Sequence, residues 1–186
     1  RASGVPGSVA GLHEAFQTLG SKKKSWAQLL APAIKLAKEG FVVEAPLAKS
    51  IADMSARLGK STASAAIYLP EGKPLAEGST LKNPDLAKTL ERIAEKGPSG
   101  FYTGPTAEAI AADFAAHDGL ITTADLAAYK AKWRTPVEFD YRGYHILSMS
   151  PPSSGGATLA MICNLLSAYD LKKAGWHSAK ELNLTF

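Results

Sequence analysis

The spacing of apolar residues changes once along this chain, after Pro136, and this change constrains the fold more than any other feature. Before it, apolar side chains recur every three or four residues, as in residues 9–19, which is the period of an amphipathic helix. After it, residues 137–141 alternate between apolar and acidic side chains, which is the period of a strand. The sequence therefore predicts a mostly helical α+β segment that contains a β-hairpin.

Turn residues and capping signals divide the part before Pro136 into helices. Ser25 and Gln28 have the spacing of a capping box, and Pro32 then lies where the helix either kinks or starts again. Asn83 and Thr122 are suited to capping two later helices. The predicted helices cover 9–19, the segment after Ser25, 45–58, the segments that follow Asn83 and Pro105, and the segment after Thr122. Residues 66–69 form a short apolar run that we interpret as a strand.

The segment after Pro136 is predicted to form a hairpin that is followed by a helix. A tight turn at Arg142-Gly143 would join strand 137–141 to strand 144–149. Residues 157–169 are apolar on nearly all sides, so we expect a buried helix there. Ser178 opens one more helical start, and the sequence stops at Phe186 without a stop signal, which we interpret as a truncation.

Composition favours a folded domain and gives little support to nucleic-acid or membrane binding. Hydrophobic residues make up 46% and charged residues 20% of the chain, which suffices for a core, and we expect 1–186 to be a single partial domain. The net charge is +4, and the one tight basic run, Lys22-Lys23-Lys24, is typical of a solvated loop. No apolar run is long enough to span a membrane. Cys163 is the single cysteine and lies in an apolar run, which indicates a small core residue.

The usual catalytic and metal-binding patterns are absent from the sequence. His13, His117, His145 and His177 are scattered and fit no metal-ligand spacing, so we predict no metal and no organic cofactor. We expect His145, on a predicted strand, to be a hydrogen-bonded structural residue. No acidic pair stands out for general acid–base work, and no nucleophile elbow, phosphate loop or dinucleotide fingerprint occurs.

Two loops remain as candidates for function. Ser153, Ser154, Gly155 and Gly156 precede the apolar helix, where backbone N–H groups at the helix start could hold a carboxylate or an oxyanion. The alternative is an ordinary helix cap that follows the prolines. Residues 97–104 could likewise be functional, or could simply connect two helices through an aromatic anchor.

Ten short motifs, taken together, resemble the γ-glutamyltransferase (γ-glutamyltranspeptidase) family. Their order and spacing over nearly the whole chain make the resemblance specific. They are GVPGSVAG at 4–11, PAIKLA at 32–37, GF at 40–41, GP at 97–98, FYTG at 101–104, GLIT at 119–122, DLAAY at 125–129, RTP at 134–136, YRGY at 141–144 and PPSSGG at 151–156.

The resemblance covers the middle part of the family's large subunit. It implies a segment of an αββα sandwich of the N-terminal nucleophile hydrolase type, made as a precursor that cuts itself. The new N-terminal threonine of the small subunit would transfer the γ-glutamyl group of glutathione or related amides to water, amino acids or peptides. The resemblance also implies a periplasmic or secreted enzyme that works with its small subunit as partner and without a cofactor.

The motifs that carry catalysis in this family do not occur here. The processing motif is Thr-Thr-His, whereas Thr122-Thr123 precedes Ala124 and matches a helix start in the large subunit. Thr185 is not a candidate nucleophile, and Arg1 does not lie in the motif of the family's donor-binding arginine. We therefore assign no catalytic residue to this chain. Ser153, Ser154, Gly155 and Gly156 are predicted to line or support the substrate site.

Two alternatives stay open at this point. One is an acylase of the same fold that acts on glutaryl-cephalosporin or poly-γ-glutamate substrates. Because a glutaryl group has no α-amino group, loss of amine-binding residues would favour the cephalosporin acylase. The other is a non-catalytic helical assembly module.

Overall fold

The computed structural model describes residues 3–185, which divide into two compact units, the first ending at Ala131 and the second beginning at Lys132. The first unit is built of α-helices, one turn of 3₁₀-helix at Pro70–Gly72 and two short antiparallel strands. Its strands are β1 (Phe41–Val42) and β2 (Thr80–Leu81). Its α-helices are α1 (Ser8–Leu19), α2 (Trp26–Glu39), α3 (Ala45–Asp53), α4 (Ser55–Leu58), α5 (Thr62–Tyr68), α6 (Pro84–Lys96), α7 (Ser99–Tyr102), α8 (Gly104–Ala116) and α9 (Thr123–Ala128).

Helix α2 forms because two reciprocal hydrogen bonds between Ser25 and Gln28 cap its first turn. The backbone N–H of Gln28 donates to the Ser25 hydroxyl at 3.2 Å, and the Ser25 N–H donates to the Gln28 side chain at 2.8 Å. This confirms the predicted capping box. The helix runs through Pro32 without a second start and packs along α6, where the Trp26 indole N–H donates to the Ile93 carbonyl at 3.0 Å.

The first of two cores in this unit gathers around strands β1 and β2. Val43, Ile51, Leu69 and Leu81 are buried together there. Residues 66–69 were expected to form a strand, and that prediction is wrong because α5 covers most of the run. The Ser61 hydroxyl accepts from the Ser64 N–H and caps this helix, which turns the side chains of 67 and 68 onto the core.

The predicted helix 45–58 is divided in the structure. Helix α3 ends at Asp53 and α4 begins at Ser55, with Met54 between them as a shared cap. Helix α6 begins at Pro84, and the side chain of the preceding Asn83 caps it by accepting from the Leu86 N–H at 3.0 Å, as the sequence predicted.

The second core is assembled around Tyr102. It is buried with Ala107, Ile121 and Leu126, and its ring stacks on that of Tyr129 with 5.5 Å between centroids. Helix α9 closes this core, and the predicted cap at Thr122 is confirmed. The Thr122 hydroxyl and backbone bind Asp125, which lowers the pKa of the Asp125 carboxyl.

Up to residue 185, the second unit consists of a β-hairpin and three helices. They are β3 (Val137–Tyr141), β4 (Tyr144–Ser148), α10 (Gly155–Ser167), α11 (Leu171–Ala174) and α12 (Ala179–Thr185). The predicted hairpin is confirmed, with Tyr141 opposite Tyr144. Arg142 and Gly143 both have positive φ, at 51° and 85°, which gives the two-residue turn whose twist matches the strands. The predicted start at Ser178 is confirmed, since its hydroxyl accepts from the Glu181 N–H at 3.1 Å.

Helix α10 packs one side against the hairpin and exposes the other. Gly156 and Cys163 are buried on the packed side, which confirms Cys163 as a core residue. On the opposite side Met161 is 65% and Leu165 is 69% exposed. The prediction that this helix is buried is therefore wrong for this chain, because its apolar residues outnumber those that a two-stranded hairpin can cover. We call Met161, Ile162 and Leu165 the outer face of α10.

Candidate functional site

The candidate loop, Ser153 to Gly156, leads from strand β4 into helix α10. It follows a cis peptide bond between Pro151 and Pro152. The N–H of Ser153 donates to the Ser150 carbonyl at 3.3 Å, so the chain turns sharply after the strand. The Ser153 hydroxyl then accepts from the Gly155 N–H at 3.2 Å. One N–H at the start of α10 is thus satisfied by the loop itself.

Gly156 fixes how closely the end of β4 approaches the start of α10. It is buried, and a Cβ added there would overlap the backbone carbonyl oxygen of Met149. A Cβ at Gly155 would lie 3.4 Å from the Ser153 hydroxyl, at the edge of ordinary contact. Gly156 therefore permits a backbone packing that no other residue type fits without movement.

The chemistry of the four predicted site residues is limited to hydroxyls and backbone amides. None of them titrates near neutral pH, so they can position or bind a group but cannot serve as general acid or base. The structure brings them together at one end of α10, where the half-buried Ser153 accepts from the Gly155 N–H and the exposed Ser154 makes no side-chain cap hydrogen bond. Their role in substrate binding stays a prediction.

Residues 97–104 form a structural connection, as the second alternative for that loop predicted. They include α7, whose Tyr102 hydroxyl donates to the Pro6 carbonyl at 2.6 Å and accepts from the Ala10 N–H at 3.2 Å. Burial raises the pKa of this phenol, which stays protonated at neutral pH. The loop therefore anchors the start of α1 to the second core.

His145 has two acidic neighbours, and neither contact was among the predictions from the sequence. Its Nδ1 lies 2.9 Å from Oδ1 of Asp140, and its Nε2 lies 3.7 Å from Oε2 of Glu138. The hydrogen bond and charge of Asp140 raise the pKa of His145, and Glu138 adds to the effect. The contact with Asp140 can be predicted from the sequence, since the two-residue turn sets Asp140 opposite His145. The expectation of a hydrogen-bonded histidine is confirmed.

The other histidines lie in separate surroundings. The His13 ring packs edge-on against Trp26 at 5.0 Å, and the His177 ring stacks on Trp176 at 4.4 Å. His117 Nδ1 lies 2.8 Å from the Asp113 carbonyl. Within residues 3–185, no group of three or more His, Cys, Asp or Glu side chains is arranged to hold a metal ion. In the same part of the chain, no helix is long and apolar enough to cross a membrane.

Comparison with known proteins gives one consistent family. The sequence model of the gamma-glutamyltranspeptidase family matches residues 1–186. A glutathione hydrolase proenzyme from Escherichia coli K12 is 46% identical over 98% of this chain and 31% of its own length. An acylase ACY 1 proenzyme from Pseudomonas sp. SE83 is 39% identical over 99% of this chain and 33% of its own.

A solved structure gives the same result at the level of the fold. The γ-glutamyltranspeptidase of Helicobacter pylori superposes with a TM-score of 0.93 at 40% identity, covering 98% of this chain and 52% of the solved chain. This confirms the predicted fold class, a mostly helical α+β segment of the N-terminal nucleophile hydrolase type. The chain spans about a third of the length of the curated relatives that it matches. It belongs to the gamma-glutamyltranspeptidase family.

Proposed function

We propose that this chain is the middle part of the large subunit of a γ-glutamyltransferase. The enzyme would transfer the γ-glutamyl group of glutathione and related amides to water, amino acids or peptides. The observation that carries the proposal is the match to one family over residues 1–186, together with the TM-score of 0.93 to a γ-glutamyltranspeptidase. Relatives named proenzymes support a precursor that is processed into two chains.

The chemistry would proceed by nucleophilic catalysis in the partner subunit. The hydroxyl of its N-terminal threonine attacks the γ-carbonyl carbon, its proton passes to the departing amine, and an ester forms. Water or an amino acid then attacks the ester and releases the threonine. Backbone N–H groups stabilise the oxyanion that forms in each step. This chain supplies no group to those bonds.

The role of this chain is that of a scaffold, with one partial domain contributing to an αββα sandwich. The outer face of α10 supports this role, because an apolar surface of this kind is suited to contact with another part of the protein. The Ser153, Ser154, Gly155 and Gly156 loop would line or support the substrate site through its hydroxyls and backbone amides. We place the enzyme in the periplasm or outside the cell.

The test is expression of the complete precursor that carries this chain. Intact-mass measurement should reveal two polypeptides, of which the second begins with threonine. The purified material should release an aromatic amine from a γ-glutamyl anilide. A precursor that stays in one piece, or a cleaved protein without this activity, would overturn the proposal. Cleavage of a glutaryl anilide in preference to the γ-glutamyl anilide would instead indicate an acylase.

A further inference from the structure

A pocket lies where the chain enters the hairpin of the second unit. Its volume is about 390 Å³, which is within the range of small-molecule sites. The chain before β3 and the chain after β4 form its walls. The lining residues are Lys132, Trp133, Arg134, Pro136, Ser148, Met149, Ser150 and Pro152.

Two cations of this pocket have no acidic partner in the described part of the chain. Within residues 3–185, neither Lys132 nor Arg134 has a carboxylate at ion-pair distance. Lys173 of α11 differs in this respect, since its Nζ lies 3.7 Å from Oδ2 of Asp170. The pocket therefore has a net positive charge that the described part of the chain does not neutralise.

The remaining lining residues suit a carboxylate on a short stem. A guanidinium presents two parallel N–H groups that match the two oxygens of a carboxylate, and an ammonium adds a point charge. The hydroxyls of Ser148 and Ser150 can donate to the same oxygens. Trp133, Met149 and prolines provide apolar walls for a hydrocarbon stem.

We propose that this pocket binds small carboxylates. Arg134 and Lys132 hold the carboxylate group, and Trp133 contacts the hydrocarbon stem of the ligand. The proposal goes beyond the γ-glutamyltransferase assignment. Because its readout is equilibrium binding, it can fail while that assignment stands, and the reverse also holds.

The experiment is an NMR titration of the ¹⁵N-labelled 186-residue chain with glutarate at constant ionic strength. Constant salt is required because exposed charges are screened over about 10 Å at 0.1 M. Saturable shifts should appear at the backbone amides of 132–134 and 148–150 and at the Trp133 indole N–H. Shifts that do not saturate, or that spread evenly over all lysines and arginines, would overturn the proposal.

Matched variants identify the groups responsible. Lys132→Gln with Arg134→Gln removes both charges but keeps two polar stems, and should weaken glutarate binding by at least about tenfold. Lys172→Gln with Lys173→Gln removes the same charge from α11 in the same unit and should change binding by less than about twofold. Equal losses in the two double variants would contradict a specific pocket.

Two further ligands separate carboxylate recognition from general anion binding. Glutaramide has the same stem without charge and should produce no saturable shifts. Inorganic phosphate has charge without a stem and should bind at least about tenfold more weakly than glutarate. If phosphate binds as well as glutarate, the site is a general anion patch and the proposed carboxylate selectivity is wrong.

Discussion

The Nδ1 atom of His145 lies 2.9 Å from Oδ1 of Asp140, its direct partner across the β3–β4 hairpin. The opposite ring nitrogen faces Glu138 at 3.7 Å. An ionised carboxylate only accepts hydrogen bonds, so the arrangement is best satisfied when both ring nitrogens carry protons. The pKa of His145 is raised accordingly, first by the hydrogen bond from the ring to Asp140 and then by the charge of that residue.

The first prediction is a pH dependence of hairpin stability. Because the folded pKa of His145 lies above its unfolded value of about 6.5, the stabilisation is complete below that value and is lost as pH rises through the folded pKa. The melting temperatures of the wild-type chain and of His145→Asn should therefore differ most at pH values below about 6.5, and the difference should shrink as the pH rises through the folded pKa. High salt should reduce the difference because the pair is exposed. An NMR titration that gives His145 an ordinary or lowered pKa would contradict the prediction.

The second prediction concerns Gly156. The Gly156→Ala substitution places a Cβ against the Met149 carbonyl, so we expect a loss of about 1–3 kcal/mol in the free energy of unfolding. Gly155→Ala is the matched control in the adjacent position, where the nearest contact is a serine hydroxyl at 3.4 Å, and should change stability by less than about 0.5 kcal/mol. Urea denaturation measures both. Equal effects would show that the close approach of Met149 does not matter.

The third prediction concerns the hydroxyl of Tyr102. Tyr102→Phe removes the donor to Pro6 and the acceptor for Ala10 while it keeps the ring, and should cost about 1–3 kcal/mol because two backbone groups lose their partner. Tyr129→Phe removes a hydroxyl from the ring stacked on it and should cost less than about 0.5 kcal/mol. Hydrogen exchange of the Ala10 amide should rise in the first variant alone. An unchanged Ala10 exchange rate would contradict the anchoring role.

The fourth prediction concerns the outer face of α10. The isolated chain should self-associate through this apolar surface, and Leu165→Glu should reduce the association. Leu19→Glu is the control, since Leu19 on α1 is 71% exposed, close to the 69% of Leu165, but lies in the other unit. Sedimentation velocity over a concentration series measures the effect. A wild-type chain that is monomeric throughout would argue against the scaffold role and favour an independent module.

Local signals explain the parts of the fold that the sequence predicted correctly. Ser25 and Gln28 cap α2, and Thr122 and Asp125 cap α9, through contacts between residues three positions apart. Such contacts depend little on the rest of the chain. The hairpin was predictable for the same reason, because a tight turn and an apolar period of two lie next to each other in the sequence.

Non-local contacts explain the parts that were missed. Strands β1 and β2 have two residues each and pair across a long stretch of sequence, so neither has a readable period. Residues 66–69 are too short to distinguish a strand from the end of a helix, and the cap at Ser61 decides the outcome. The pocket at Lys132 and Arg134 carries no motif, since its two walls come together only when the hairpin closes.

The hydrogen bond between Tyr102 and Pro6 also bears on how the chain folds during synthesis. It joins residues 96 positions apart. At a translation rate of about 5–20 residues per second, roughly 5–20 seconds pass between the addition of Pro6 and that of Tyr102. During that time α1 lacks the anchor that holds it in the finished protein. Until Tyr102 has been added, α1 is therefore more open to proteases and chaperones than it is in the folded unit.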